Sequence, residues 1–108
     1  MAQTCYPEDV TARLDEYGER VRTSRVRRRW SQADLADRIG VERRTVTRLE
    51  HGDPGVGMGV FLAALWVLGL WDTTGGLANP EADKVGAFLE KQRQPRRVRR
   101  QQEKELDF

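Results

Sequence analysis

One serine and two glycines divide residues 31–52 into a pattern that few folds accommodate. Ser31 precedes Gln32-Ala33-Asp34, an N-cap followed three residues on by an acid, which starts a helix at Gln32. Leu35, Ala36 and Ile39 mark the buried side of that helix. Gly40 stands where a helix C-terminus needs a residue able to turn left-handed. Val41-Glu42 then leads into Val46 and Leu49, again at helical spacing, and His51-Gly52 closes the second element with another glycine. The segment predicts two short helices flanking a tight turn.

Placed at about 100° per residue, Val46 and Leu49 of the second helix point one way. Arg44, Thr47, Arg48 and His51 fall opposite, with Arg43 and Thr45 at the flanks and Glu50 near the buried edge. Most polar helix faces are merely solvated, but the distribution of charge here suits an anionic partner. The 108 residues carry 19 Lys and Arg against 17 Asp and Glu, a net charge of only +2, yet the charges collect into runs. Basic runs occupy residues 25–29, 43–48 and 93–100, whereas acids gather near residues 8–19 and 103–107.

Elsewhere the chain also reads as helical. A first helix is expected from about Glu8 to Arg28, with Pro7 near its start and Val10, Leu14, Tyr17 and Val21 forming one stripe. Gly18 and Thr23-Ser24 weaken it. Residues 51–59, HGDPGVGMG, follow a helix rather than a strand and lack a Gly-Lys-Ser/Thr ending, so they describe a turn-rich linker and not a phosphate loop. Val60, Phe61, Ala64, Leu65, Trp66, Leu68 and Leu70 then cover more than one face of a further helix. Phe61, Leu65 and Leu68 are assigned to the core, and Trp66, Leu70 and Trp71 to a homodimer interface. A last helix follows Asn79 as cap and Pro80 as first residue, with Val85, Phe88 and Leu89 inward and Pro95 ending it. The fold class is all-α, since period-2 strand signals are absent.

Several function classes are disfavoured. The apolar stretch from Met58 to Trp71 falls short of the ~20 residues of a membrane span, so a soluble, cytoplasmic protein without membrane contact is expected. Cys5 is the single cysteine and His51 the single histidine. Neither a disulfide, a metal site, a cofactor nor a nucleophile-base pair is expected from them.

The segment QADLADRIGVERRTVTRLEH, residues 32–51, resembles the helix-turn-helix of the lambda-repressor-like, or xenobiotic-response-element (XRE), family. The preceding Trp30-Ser31-Gln32 is similar to that family's usual Leu-Ser-Gln. The resemblance implies a domain over residues 12–72, preceded by an extension at 1–11 and followed by a linker and helix at 73–94 and a charged tail at 95–108. It implies that the helix from Arg43 enters the major groove of DNA, with Arg43, Arg44, Thr47 and Arg48 at base edges. It places Gln32 and Thr45 at backbone phosphate and Arg25 and Glu50 in a structural ion pair. Arg28, with its neighbours Arg27 and Arg29, suits a phosphate contact or a solvated helix end equally well. Two positions depart from the pattern: Ser24 falls where relatives commonly carry Leu, and Arg29 replaces a frequent Gly.

Residues 52–70 and 79–99 together resemble small HipB-type antitoxins. That likeness implies an operon autorepressor on a palindromic operator, which also restrains a HipA-like serine/threonine kinase toxin. The alternative is a stand-alone regulator of the same fold. A pure protein-interaction module, with the arginine face on an acidic protein, is a third reading. Arg96, Arg97, Arg99 and Arg100 of the tail suit DNA backbone, an acidic protein or simple solubilisation equally well.

Overall fold

The structure, a computed structural model, describes residues 5–93. It contains five α-helices: α1 Glu8–Arg27, α2 Gln32–Ile39, α3 Arg43–Glu50, α4 Met58–Val67 and α5 Lys84–Arg93. Short 3-10 turns occupy Trp71–Thr74 and Pro80–Ala82, and the described residues contain no strand. The chain divides into two compact units, one ending at Gly75 and the other beginning at Gly76.

In the first unit the helices close around Val21 of α1, Leu35 and Ala36 of α2, Val46 and Leu49 of α3, and Ala64, Leu65 and Leu68 at α4. Trp30, Ile39, Val41, Val56, Val60, Phe61, Val67 and Leu70 pack around this cluster, partly buried. Complete burial of each such Leu or Val contributes roughly 1.5–3 kcal/mol, so four interlocked helices suffice for a domain of this size. Of the stripe expected on α1, Val21 is buried, Leu14 and Tyr17 are half-buried, and Val10 stays exposed. Tyr17 stacks on Phe61 with ring centroids 5.7 Å apart.

The ends of α2 follow the signals in the sequence. The Ser31 hydroxyl accepts from the Asp34 N–H at 3.0 Å, and the Asp34 carboxylate accepts from the Ser31 N–H at 2.8 Å. This reciprocal box satisfies two donors that a helix start otherwise leaves unpaired. At the other end Gly40 turns left-handed at φ 87°, and the N–H groups of Gly40 and Val41 both donate to the Ala36 carbonyl. The reversal brings α3 across α2.

Gly18 has a different role from the helix-weakening one its composition suggests. It is buried where α1 meets the end of α3, and a Cβ there would lie 2.6 Å from the Glu50 carbonyl oxygen and 2.8 Å from that of Leu49. Only a residue without a side chain lets the two helices touch. Arg29, by contrast, adopts φ 56° despite its Cβ. The exit from α1 is the left-handed one that glycine would supply, held here at a strain of roughly 1–2 kcal/mol. Ser24 fills its buried position and offers its carbonyl to Arg28.

The second unit corrects two expectations. Asn79 does cap, accepting from the Glu81 N–H at 3.0 Å, but the element it opens is the 3-10 turn beginning at Pro80. The α-helix begins later, at Lys84, with the Asp83 carboxylate accepting from the Gly86 N–H at 2.8 Å. Val85, Phe88 and Leu89, expected to face inward, are exposed, and no residue of α5 is buried. A helix this short with three large apolar side chains has no core of its own to bury them in. Pro95 and the basic tail lie outside the described residues.

Gly18→Ala is expected to destabilise the domain by about 1–3 kcal/mol through overpacking, seen as a lower denaturant midpoint. The Asp34 carboxyl is held below its ordinary value, chiefly by accepting from the Ser31 backbone N–H. A group lowered in the folded state stabilises above its unfolded value, and that gain is lost as pH falls through the folded one. Asp34→Asn should therefore flatten the decline in Tm below about pH 4, measured by thermal melts across acidic pH.

Candidate nucleic-acid interface

The site is built on α3, whose two sides differ completely. Val46, Leu49 and Glu50 are buried, whereas Arg43, Arg44 and Arg48 are exposed and Thr45 and Thr47 half-buried. Small Ala36, also buried, lies on the α2 face of the same core. The arginines therefore project from a helix that is fixed along its inner side.

Glu50 is the anchor. Its carboxylate receives Arg25 Nε at 2.6 Å and Arg25 Nη2 at 3.0 Å, a two-point pair joining α1 to α3. Arg25 Nη1 donates further to the Trp30 carbonyl at 2.7 Å. The side chains of Arg25 and Glu50 are 10% and 2% exposed, so the pair is screened from water and its geometry is fixed. Hydrogen bonding to Glu50 raises the Arg25 pKa above its ordinary value. This is the ion pair expected from the sequence.

The same carboxylate reaches α2. Gln32 Nε2 donates to Glu50 Oε1 at 3.1 Å, and Gln32 Oε1 accepts from the Thr47 hydroxyl at 2.8 Å. Gln32, expected at phosphate, thus has one N–H and its carbonyl occupied inside the protein. Thr47, expected at a base edge, has its single hydroxyl proton directed to Gln32 Oε1, with the Arg43 carbonyl 3.2 Å away as the other acceptor within its reach. Arg28, the one basic residue of the three expected near phosphate, donates to the Ser24 carbonyl at 2.7 Å and to the Leu68 carbonyl at 2.5 Å. It ties the end of α1 to the end of α4 and lies over the Trp30 ring, as Arg38 does at 4.0 Å.

The exposed arginines are not equivalent. Among the described residues Arg43 and Arg44 have no carboxylate partner, while Arg48 Nε pairs with Asp53 Oδ2 at 2.7 Å. Asp53, in the turn after α3, was not singled out by the sequence pattern. The only hint was an acid five residues beyond an arginine, across a glycine. His51 ends the helix and donates an Nδ1–H to the Thr47 carbonyl at 2.7 Å, consistent with a capping role. Trp66 and Trp71, assigned to a dimer interface, are 68% and 51% exposed, whereas Leu70 packs partly against the protein's own core.

A family model described as a helix-turn-helix domain matches residues 16–74, which run from within α1 to the end of the turn after α4. The chain belongs to the helix-turn-helix domain family. No curated protein and no solved structure gives a significant match to it. As a helix-turn-helix protein, consistent with the XRE-like pattern, it is a DNA-binding regulator. In helix-turn-helix terms α2 and α3 are the paired helices and Gly40 lies in their turn. Among the described residues no helix is long and apolar enough to cross a membrane, and no group of His, Cys, Asp and Glu is placed to hold a metal ion.

Arg25→Ala leaves Glu50 buried without its cation and is expected to cost about 3–5 kcal/mol. Denaturant unfolding checks this, and Glu50→Gln, which removes the charge and replaces one acceptor oxygen with an NH2 donor facing N–H groups of Arg25 or Gln32, should destabilise as well.

Proposed function

We propose that the protein is a transcriptional repressor that reads a palindromic, guanine-containing operator in duplex DNA as a homodimer, with α3 in the major groove. The observation that carries this reading is the exposure of Arg43, Arg44 and Arg48 on one side of a helix whose other side is buried. A guanidinium at a base edge bonds G O6 and N7 together, and each such contact discriminates by about 1–3 kcal/mol. Thr47, fixed by Gln32, completes the base-reading set. Thr45 takes phosphate near the start of α3. Gln32 and Arg28 keep unused N–H donors beside their internal bonds and serve phosphate through those.

One such domain gives weak binding, whereas a twofold pair reads half-sites about 34 Å apart on one face of DNA. Trp66 and Trp71, with Leu70 at their edge, supply the self-association surface. Residues 54–71 carry no charged side chain, so a twofold-related copy meets no like charge there. On the likeness to HipB-type antitoxins we extend the reading to an operon autorepressor that restrains a HipA-like serine/threonine kinase toxin. The exposed Val85, Phe88 and Leu89 of α5 supply apolar surface for a protein partner, in keeping with that role. The alternative, a stand-alone regulator, is separated from it by copurification from the native host: a kinase-like protein retained with the chain identifies the antitoxin.

Selection from randomised duplexes, followed by titration with salt, tests the core of the proposal. Affinity should fall steeply with salt and the selected duplex should retain preference over random DNA. Equal affinity for every duplex would overturn the operator-reading proposal. Arg44→Ala is expected to relax choice at one base pair, weakening the selected duplex by about 1–3 kcal/mol with Tm nearly unchanged. Trp71→Ala should shift sedimentation toward the monomer, and an unaltered profile would remove it from the interface.

A further inference from the structure

Arg48 is the one outward arginine of α3 whose direction is fixed by a carboxylate, and the fixing residue is bound to it at both ends. The Asp53 N–H donates to the Arg48 carbonyl at 3.0 Å, while Asp53 Oδ2 accepts from Arg48 Nε at 2.7 Å. Asp53 is itself held: its Oδ1 accepts from the Gly55 N–H at 2.7 Å, and its carbonyl accepts from the Val56 N–H at 3.2 Å. Gly52 returns the chain at φ 74°, placing this turn back over the helix it has just left. Gly55 stands so close that a Cβ there would come within 2.8 Å of Arg48 Nη2. The turn is therefore shaped around the guanidinium as well as bonded to it.

We propose that Asp53 is a positioning residue for base recognition, orienting Arg48 so that only its Nη1 and Nη2 edge is presented to DNA. The inference rests on the DNA-binding reading above. Its chemistry follows from the guanidinium fork. An arginine approaches a guanine either side-on, through Nε and one Nη, or end-on, through both Nη groups. With Nε–H committed to Asp53, the end-on approach remains. A flexible arginine beside DNA also satisfies itself on any phosphate, which carries no sequence information. The carboxylate opposes this twice, by holding the side chain and by placing negative charge where a phosphate would otherwise approach. The arrangement exchanges affinity for all DNA against selectivity at one base pair. The pair remains partly exposed, its side chains at 45% and 35%, so the guanidinium is not sealed inside the protein.

The test uses the full chain and the duplex it selects from a randomised pool. Asp53→Asn is expected to lose about tenfold in discrimination at one base pair, the one relaxed by Arg48→Ala. Its affinity for random duplex should be equal or higher, because a negative charge has been removed. In an Arg48→Ala background the same substitution should change discrimination no further. Gly55→Ala is the second variant. It keeps the Asp53 charge but displaces the Arg48 fork, and it should relax the same base pair. Undiminished selectivity in both variants, or a uniform loss across the whole site, overturns the positioning role. Should the unaltered protein select no duplex at all, the underlying DNA-binding proposal fails instead.

Discussion

The bidentate bond between Arg25 and Glu50 is the constraint on which the arrangement of α1, α2 and α3 depends. Burying two charges is costly, and a pair of this kind is seldom a net source of stability compared with well-packed apolar residues. Its value is geometric. Glu50 has room for Arg25 from α1 and Gln32 from α2 at the same carboxylate, so its side chain is shared by three helices. An apolar replacement would tolerate sliding of one helix on another. A forked guanidinium on a carboxylate does not, because both hydrogen bonds lose strength together when either group turns.

From this anchor the order extends outward in steps. Gln32 passes it to the Thr47 hydroxyl on the rim of α3, and Arg25 passes it to the Trp30 carbonyl just before α2. Gly18 closes the opposite side by letting α1 meet the last carbonyls of α3 without a spacer. The outer arginines therefore stand on a helix whose rotation and translation are both determined. Such rigidity suits the proposed role of this surface at base edges.

Much of this was legible in the residues themselves, because helix signals are local. The box at Ser31 and Asp34, the turn at Gly40 and the split of α3 into apolar and cationic sides all follow from spacing. The Arg25 and Glu50 pair was legible only through family likeness, since 25 residues separate the partners. What stayed hidden depended on approach between elements. Gly18 looks like a weak point until α3 is laid against it, and Arg28 looks like a free cation until the Leu68 carbonyl reaches it. Asp53 is hidden for the same reason: nothing in a linker announces that it folds back onto an arginine. The misplacement of Val85, Phe88 and Leu89 has another origin. Helical periodicity reports that a face is apolar, not that anything within the unit covers it.

The uncharged run from Pro54 to Trp71 gives the domain two faces that answer oppositely to the ionic medium. Screening weakens whatever the arginines of α3 hold, most strongly beyond the Debye length of about 8 Å at physiological ionic strength. Any contact made through exposed Trp66 and Trp71 would contain no ions to screen, and strongly hydrated salts such as sulfate would reinforce it. A rise in electrolyte would thus release polyanion while leaving apolar association in place, so that the two kinds of attachment come apart in a fixed sequence.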